Sequence, residues 1–160
     1  FNINISNNSP KEYAEIFSRN KSDLTLKNIL AFDVVIFKNC FPTSKIETQE
    51  KLEEYKKYYS QIMKSISQYK NKFIIFTPPP IRREMTKPEW ANNARKLSIF
   101  IDKETKKYKN ITSFDFFDLL SDSQGENANM LKRQYCNILP FDSHPNIRAN
   151  REVGKIFIGI

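Results

Sequence analysis

Phe73-Ile74-Ile75-Phe76-Thr77-Pro78-Pro79-Pro80 is the stretch whose reading decides the fold. Four β-branched or aromatic residues run without a polar interruption. That suits a parallel strand buried on both faces better than a half-exposed strand of alternating polarity. The prolines end the run, because proline cannot donate to a sheet ladder. Two further runs match it: Asp33-Val34-Val35-Ile36-Phe37 upstream and Ile111 to Phe117 downstream. Helical patterns lie between them. Ile46 to Tyr69 places Leu52, Tyr55, Tyr59, Ile62, Met63, Ile66 and Tyr69 on one apolar face. Thr86-Lys87-Pro88-Glu89 reads as a capping box, opening a helix to about Tyr108 with Trp90, Ala94, Leu97 and Ile101 on one side. Strands alternating with helices predict an α/β fold with a mostly parallel sheet and helices on its faces.

The ends of the chain extend the pattern. Phe1 to Asn8 alternates apolar and polar residues, as an extended lead-in does. Ser9-Pro10-Lys11-Glu12 is a second capping box with proline at the first helical position. Asp23 to Ala31 reads as a short helix or turn, and Asp118 to Pro140 as a segment that wraps the surface or forms a short helix. A terminal helix is expected from Ile147 to Ile160. Residues 1–160 read as one domain, large enough for its own core. It begins at Phe1, so the domain is expected to be N-terminally incomplete.

Composition excludes several classes. Only 3 glycines argue against collagen-like or flexible low-complexity character, and no apolar run approaches the ~18 residues of a membrane span. The net charge is +8, but the basic pairs Lys56-Lys57, Arg82-Arg83, Lys106-Lys107 and Lys132-Arg133 are interspersed with acidic residues. They read as solvated faces, and without an arginine-rich tract or RNA-binding motif no nucleic-acid partner is expected. Two cysteines, Cys40 and Cys136, stand outside any CxxC pattern. With one histidine in the chain, a Cys/His zinc site is not expected. No metal or organic cofactor is implied.

In an open parallel sheet, sites form beyond the C-terminal ends of the strands. The loops to watch are therefore 38–44, 77–85 and the segment leading to Asp142-Ser143-His144-Pro145-Asn146. His144 is the side chain best suited to proton transfer near neutral pH. Asp142 stands two residues before it and Pro145 stiffens the chain after it. The plain alternative is a helix entry capped by Asp142 or Ser143. Arg82 and Arg83 read equally as an anion clamp or as a solvated loop. Cys40 lies beside the site, where it could be mistaken for a nucleophile, and reads rather as a small buried thiol.

Taken together, these residues resemble the SGNH (GDSL-like) hydrolases. Asp142-Ser143-His144-Pro145-Asn146 with Gly154 in the following helix resembles that family's last block. Phe76-Thr77-Pro78-Pro79-Pro80 resembles its strand-to-Thr-Pro-Pro loop, and Asn92 to Leu97 the helix after it. Asn39, at the end of the Val34 to Cys40 strand, matches the family's oxyanion-hole asparagine. The resemblance covers about residues 33–160. It implies a flavodoxin-like three-layer α/β/α sandwich, with the family's first strand missing. It also implies a serine ester hydrolase acting on acyl or acetyl esters of small molecules, carbohydrates among them, with His144 as general base and Asp142 orienting it. A non-catalytic binding module of the same fold is the alternative. The chain departs from the pattern in four ways. It has no Gly-Asp-Ser-like turn, and Ser6 lacks the flanking residues of one. The oxyanion glycine has no counterpart. Phe37-Lys38-Asn39-Cys40 replaces Gly-x-Asn-Asp. The aspartate stands two residues before the histidine instead of three. The serine is expected on sequence preceding Phe1, so the chain by itself is expected to have little or no esterase activity.

Overall fold

The structure, a computed structural model, describes residues 9–139 and 141–159. Its sheet has three parallel strands among the described residues, β1 (Val34–Lys38), β2 (Lys72–Phe76) and β3 (Ile111–Phe114), in that order. Ile36 lies opposite Ile74, and Ile75 opposite Ser113. The helices are α1 (Pro10–Phe17), α2 (Leu24–Leu30), α3 (Gln49–Ile66), α4 (Pro88–Thr105), α5 (Phe116–Leu120) and α6 (Ile147–Ile158).

β2 shows why the layers form. Side chains alternate across a strand, so Phe73 and Ile75 enter one core with Phe17, Leu52, Tyr59, Ile62, Leu97 and Ile101 of α1, α3 and α4. Ile74 and Phe76 enter the other, with Phe114, Leu120, Ala149 and Val153. The Phe76 ring lies 4.6 Å from that of Phe114 and 5.0 Å from that of Phe157. Helices therefore cover both faces of the sheet, in a flavodoxin-like three-layer α/β/α arrangement.

β1 departs from the expected burial. Phe37 is buried, but Val34 and Ile36 are 46% and 49% exposed. The second core draws on β2 and β3 and, among the described residues, not on β1. An apolar run thus identifies a parallel strand without fixing its place in the sheet. The lead-in strand and Ser6 fall outside the described residues.

Helix starts follow local chemistry. Ser9 and Glu12 form the expected reciprocal cap. α3 begins at Gln49 with Thr48 as its cap, later than the apolar pattern suggests. The expected Thr86–Glu89 box does not form. Lys87 is the N-cap and Pro88 opens α4, so Thr86 stands one residue too early, its hydroxyl near the Lys87 carbonyl. β3 ends at Phe114 because Asp115 caps α5. Asn146, not Asp142 or Ser143, caps α6 through a bond from the Ala149 N–H.

Candidate active site

The strands are parallel, so Asn39, Thr77 and Asp115 all leave the same edge of the sheet. The loop carrying His144 comes to that edge. Asp142 accepts from the His144 backbone N–H at 2.8 Å, an Asx turn of two residues. The same oxygen, Oδ1, lies 2.6 Å from His144 Nδ1. The turn thus closes the short spacing and brings carboxylate and imidazole together. The His144 backbone N–H, then the imidazole, hold the Asp142 carboxyl below its ordinary range. With Nδ1 facing a carboxylate, the favoured neutral tautomer carries its proton there and leaves Nε2 as acceptor.

Other residues hold this turn in place. Asn137 Nδ2 donates to Asp142 Oδ2 at 3.0 Å and to the His144 carbonyl at 2.9 Å. The buried Ser143 hydroxyl accepts from the Arg82 N–H at 3.3 Å. Arg82 Nη1 donates to the carbonyls of Leu139 (2.6 Å), Asn137 (3.3 Å) and Asp142 (3.4 Å), while its Nε meets Glu84 at 2.8 Å. Its side chain is only 10% exposed. Arg82 is therefore an internal brace for the His144 loop, neither an anion clamp nor a solvated residue. Asn146 Nδ2 ties the start of α6 to the carbonyls of Gln134 and Cys136.

The loops after β1 and β2 are tied to the same edge. Ser44 donates to the Pro79 carbonyl at 2.7 Å. Thr77 accepts from the Phe117 N–H and donates to Asp115, which also accepts from Ser98. Asn39 is 1% exposed, and its Oδ1 accepts from the Tyr59 hydroxyl at 2.5 Å. Burial raises the Tyr59 pKa well above its ordinary value, so that hydroxyl stays a donor. The Asn39 amide consequently turns its NH2 end away from Tyr59. Cys40 follows in the chain, with Sγ 3.4 Å from His144 Nε2. The neighbouring Phe41 ring packs edge-to-face on the imidazole, 4.9 Å between centroids at 88°.

The fold has a solved counterpart. A structure from Streptococcus pneumonia, provisionally named a platelet activating factor, superimposes with a TM-score of 0.59 at 14% identity. The match covers 80% of this chain and 60% of that one, so the chain spans about three-fifths of its neighbour's length. At that identity the likeness is one of fold. No family model matches the chain, and no curated protein matches it in sequence.

Of the residues singled out in the sequence, the structure brings Asp142 and His144 into direct contact and buries Asn39 at the end of β1 against the Tyr59 hydroxyl. Cys40 is half-buried where a buried thiol was expected, and it lies beside the imidazole. Asn137 and Tyr59 were not legible as site residues, and Arg82 was read as an anion clamp or a solvated residue and not as a brace. Among the described residues, no group of three or more His, Cys, Asp and Glu side chains is placed to hold a metal ion. No described helix is long and apolar enough to cross a membrane.

Proposed function

We propose that this domain is an ester hydrolase of the SGNH kind. In this reading His144 is the general base and Asp142 fixes its tautomer and favours the imidazolium. The NH2 end of Asn39 donates to the oxyanion of the tetrahedral intermediate. The observation that carries the reading is the 2.6 Å contact between Asp142 Oδ1 and His144 Nδ1, beyond the strand ends, with Nε2 left as acceptor. The His144 side chain is 61% exposed, so a substrate carbonyl can reach it from solvent. An acyl or acetyl ester, of a carbohydrate or another small alcohol, is the substrate class.

The test is hydrolysis of p-nitrophenyl acetate by the full-length protein and by its His144→Ala variant. A general base contributes about 10²–10⁴-fold, so the variant is expected to lose at least about a hundredfold. Equal rates for the two proteins would remove His144 from catalysis and leave a binding module.

A further inference from the structure

We propose that Cys40 is the nucleophile that His144 activates, so that Cys40, His144 and Asp142 form a thiol acyl-transfer centre. The substrate class rests on the hydrolase reading above; the activated thiol does not. Three observations carry it. Cys40 Sγ lies 3.4 Å from His144 Nε2, the nitrogen left as acceptor once Nδ1 faces Asp142. The far end of the imidazole is oriented by a carboxylate that is itself held by Asn137. Phe41, next to Cys40, packs edge-to-face on the imidazole and fixes the thiol loop against the base. Nucleophile within reach of base, and base oriented by a third group, is the arrangement that activated nucleophiles share.

The other cysteine supplies an internal contrast. Cys136 Sγ faces the carbonyls of Lys132 and Leu131, at 3.6 and 4.0 Å, with no imidazole beside it. Burial raises its pKa. A thiolate is disfavoured there, whereas the Cys40 sulfur has an imidazole, oriented by Asp142, within reach to take its proton.

The reaction balances without any other group. The Cys40 S–H proton passes to His144 Nε2, and the sulfur attacks the ester carbonyl carbon. A C–S bond forms as the carbonyl electron pair moves onto oxygen. Collapse breaks the C–O bond to the alcohol, which leaves with the proton from His144, and a thioester remains on Cys40. Water then gives a proton to His144 and attacks the thioester. The C–S bond breaks, the carboxylic acid leaves, and the His144 proton returns to the sulfur, restoring the Cys40 thiol and the neutral imidazole. On this reading the nucleophile lies within the chain and no preceding serine is required.

Two measurements test the proposal. In the first, iodoacetamide alkylation at pH 7 is followed by peptide mass spectrometry at Cys40 and Cys136. An ordinary thiol is about 3% thiolate at that pH, and an ionised one is somewhat less nucleophilic. Cys40 is therefore expected to react about tenfold faster than Cys136, and to lose that advantage in both His144→Ala and His144→Gln. In the second, p-nitrophenyl acetate turnover is acid-quenched, with the acetyl group expected on the Cys40 peptide and turnover lost in Cys40→Ala. Fast, His144-dependent alkylation without ester turnover would keep the activated thiol and sink the hydrolase reading. Turnover lost in His144→Ala but kept in Cys40→Ala would overturn the thiol nucleophile and keep the hydrolase. Alkylation of Cys40 no faster than of Cys136 would also overturn it.

Discussion

Arg82→Met separates a brace from a binding residue. Methionine keeps an apolar stem in a nearly closed site and removes the guanidinium. What is lost is a charged donor to the carbonyls of Leu139, Asn137 and Asp142, at 2.6, 3.3 and 3.4 Å. A well-made hydrogen bond to a charged group contributes about 1.5–3 kcal/mol, and the two longer contacts add less. The Glu84 partner is 42% exposed, so that pair adds at most about 1 kcal/mol. The sum is about 2–4 kcal/mol. For a domain of this size each kcal/mol shifts the Tm by about 2–4 °C, which gives a fall of roughly 4–16 °C. Thermal unfolding followed by far-UV circular dichroism measures it. Hydrogen exchange should localise part of the loss, with faster exchange at the His144 amide that donates to Asp142. A Tm within about 1 °C of the parent, with unchanged exchange at His144, would show that Arg82 does not hold the loop.

Tyr59→Phe removes one hydroxyl from the core and the donor that orients Asn39. It should cost about 1–2 kcal/mol in unfolding free energy and, if Asn39 serves the oxyanion, lower ester turnover about tenfold; undiminished turnover in a destabilised protein would count against Asn39. Acid should expose the Arg82–Glu84 pair. The Arg82 hydrogen bond holds the Glu84 pKa down from 4.5 to about 2, so its stabilisation is present above pH 4.5 and is lost as pH falls towards 2. Glu84→Gln should therefore be less stable than the parent at pH 6 and converge with it near pH 2 in urea unfolding. A stability gap equally large at both pH values would contradict the linkage.

The parts of this molecule legible in sequence are those whose interactions close within a few residues. The Ser9–Glu12 cap spans three positions and the Asp142–His144 turn spans two, and residue type at short spacing nearly determines both. β2 was legible because a buried parallel strand and a proline stop are each local statements. The failures share the opposite property. Thr86 and Lys87 both precede Pro88, and composition does not choose between adjacent caps. The exposure of Val34 and Ile36 depends on which helix crosses which strand, a topological matter. Arg82 meets carbonyls 55 to 60 positions away, and a carbonyl has no side-chain signature to read. Cys40 and His144 are 104 positions apart. Once β1 and the His144 loop are known to share one edge, though, a thiol at the strand end becomes the group the imidazole meets. The two-residue Asp–His spacing is closed by the Asx turn, and the end of β1 brings the Cys40 sulfur within 3.4 Å of Nε2. The rate of Cys40 alkylation tests whether that contact activates the thiol.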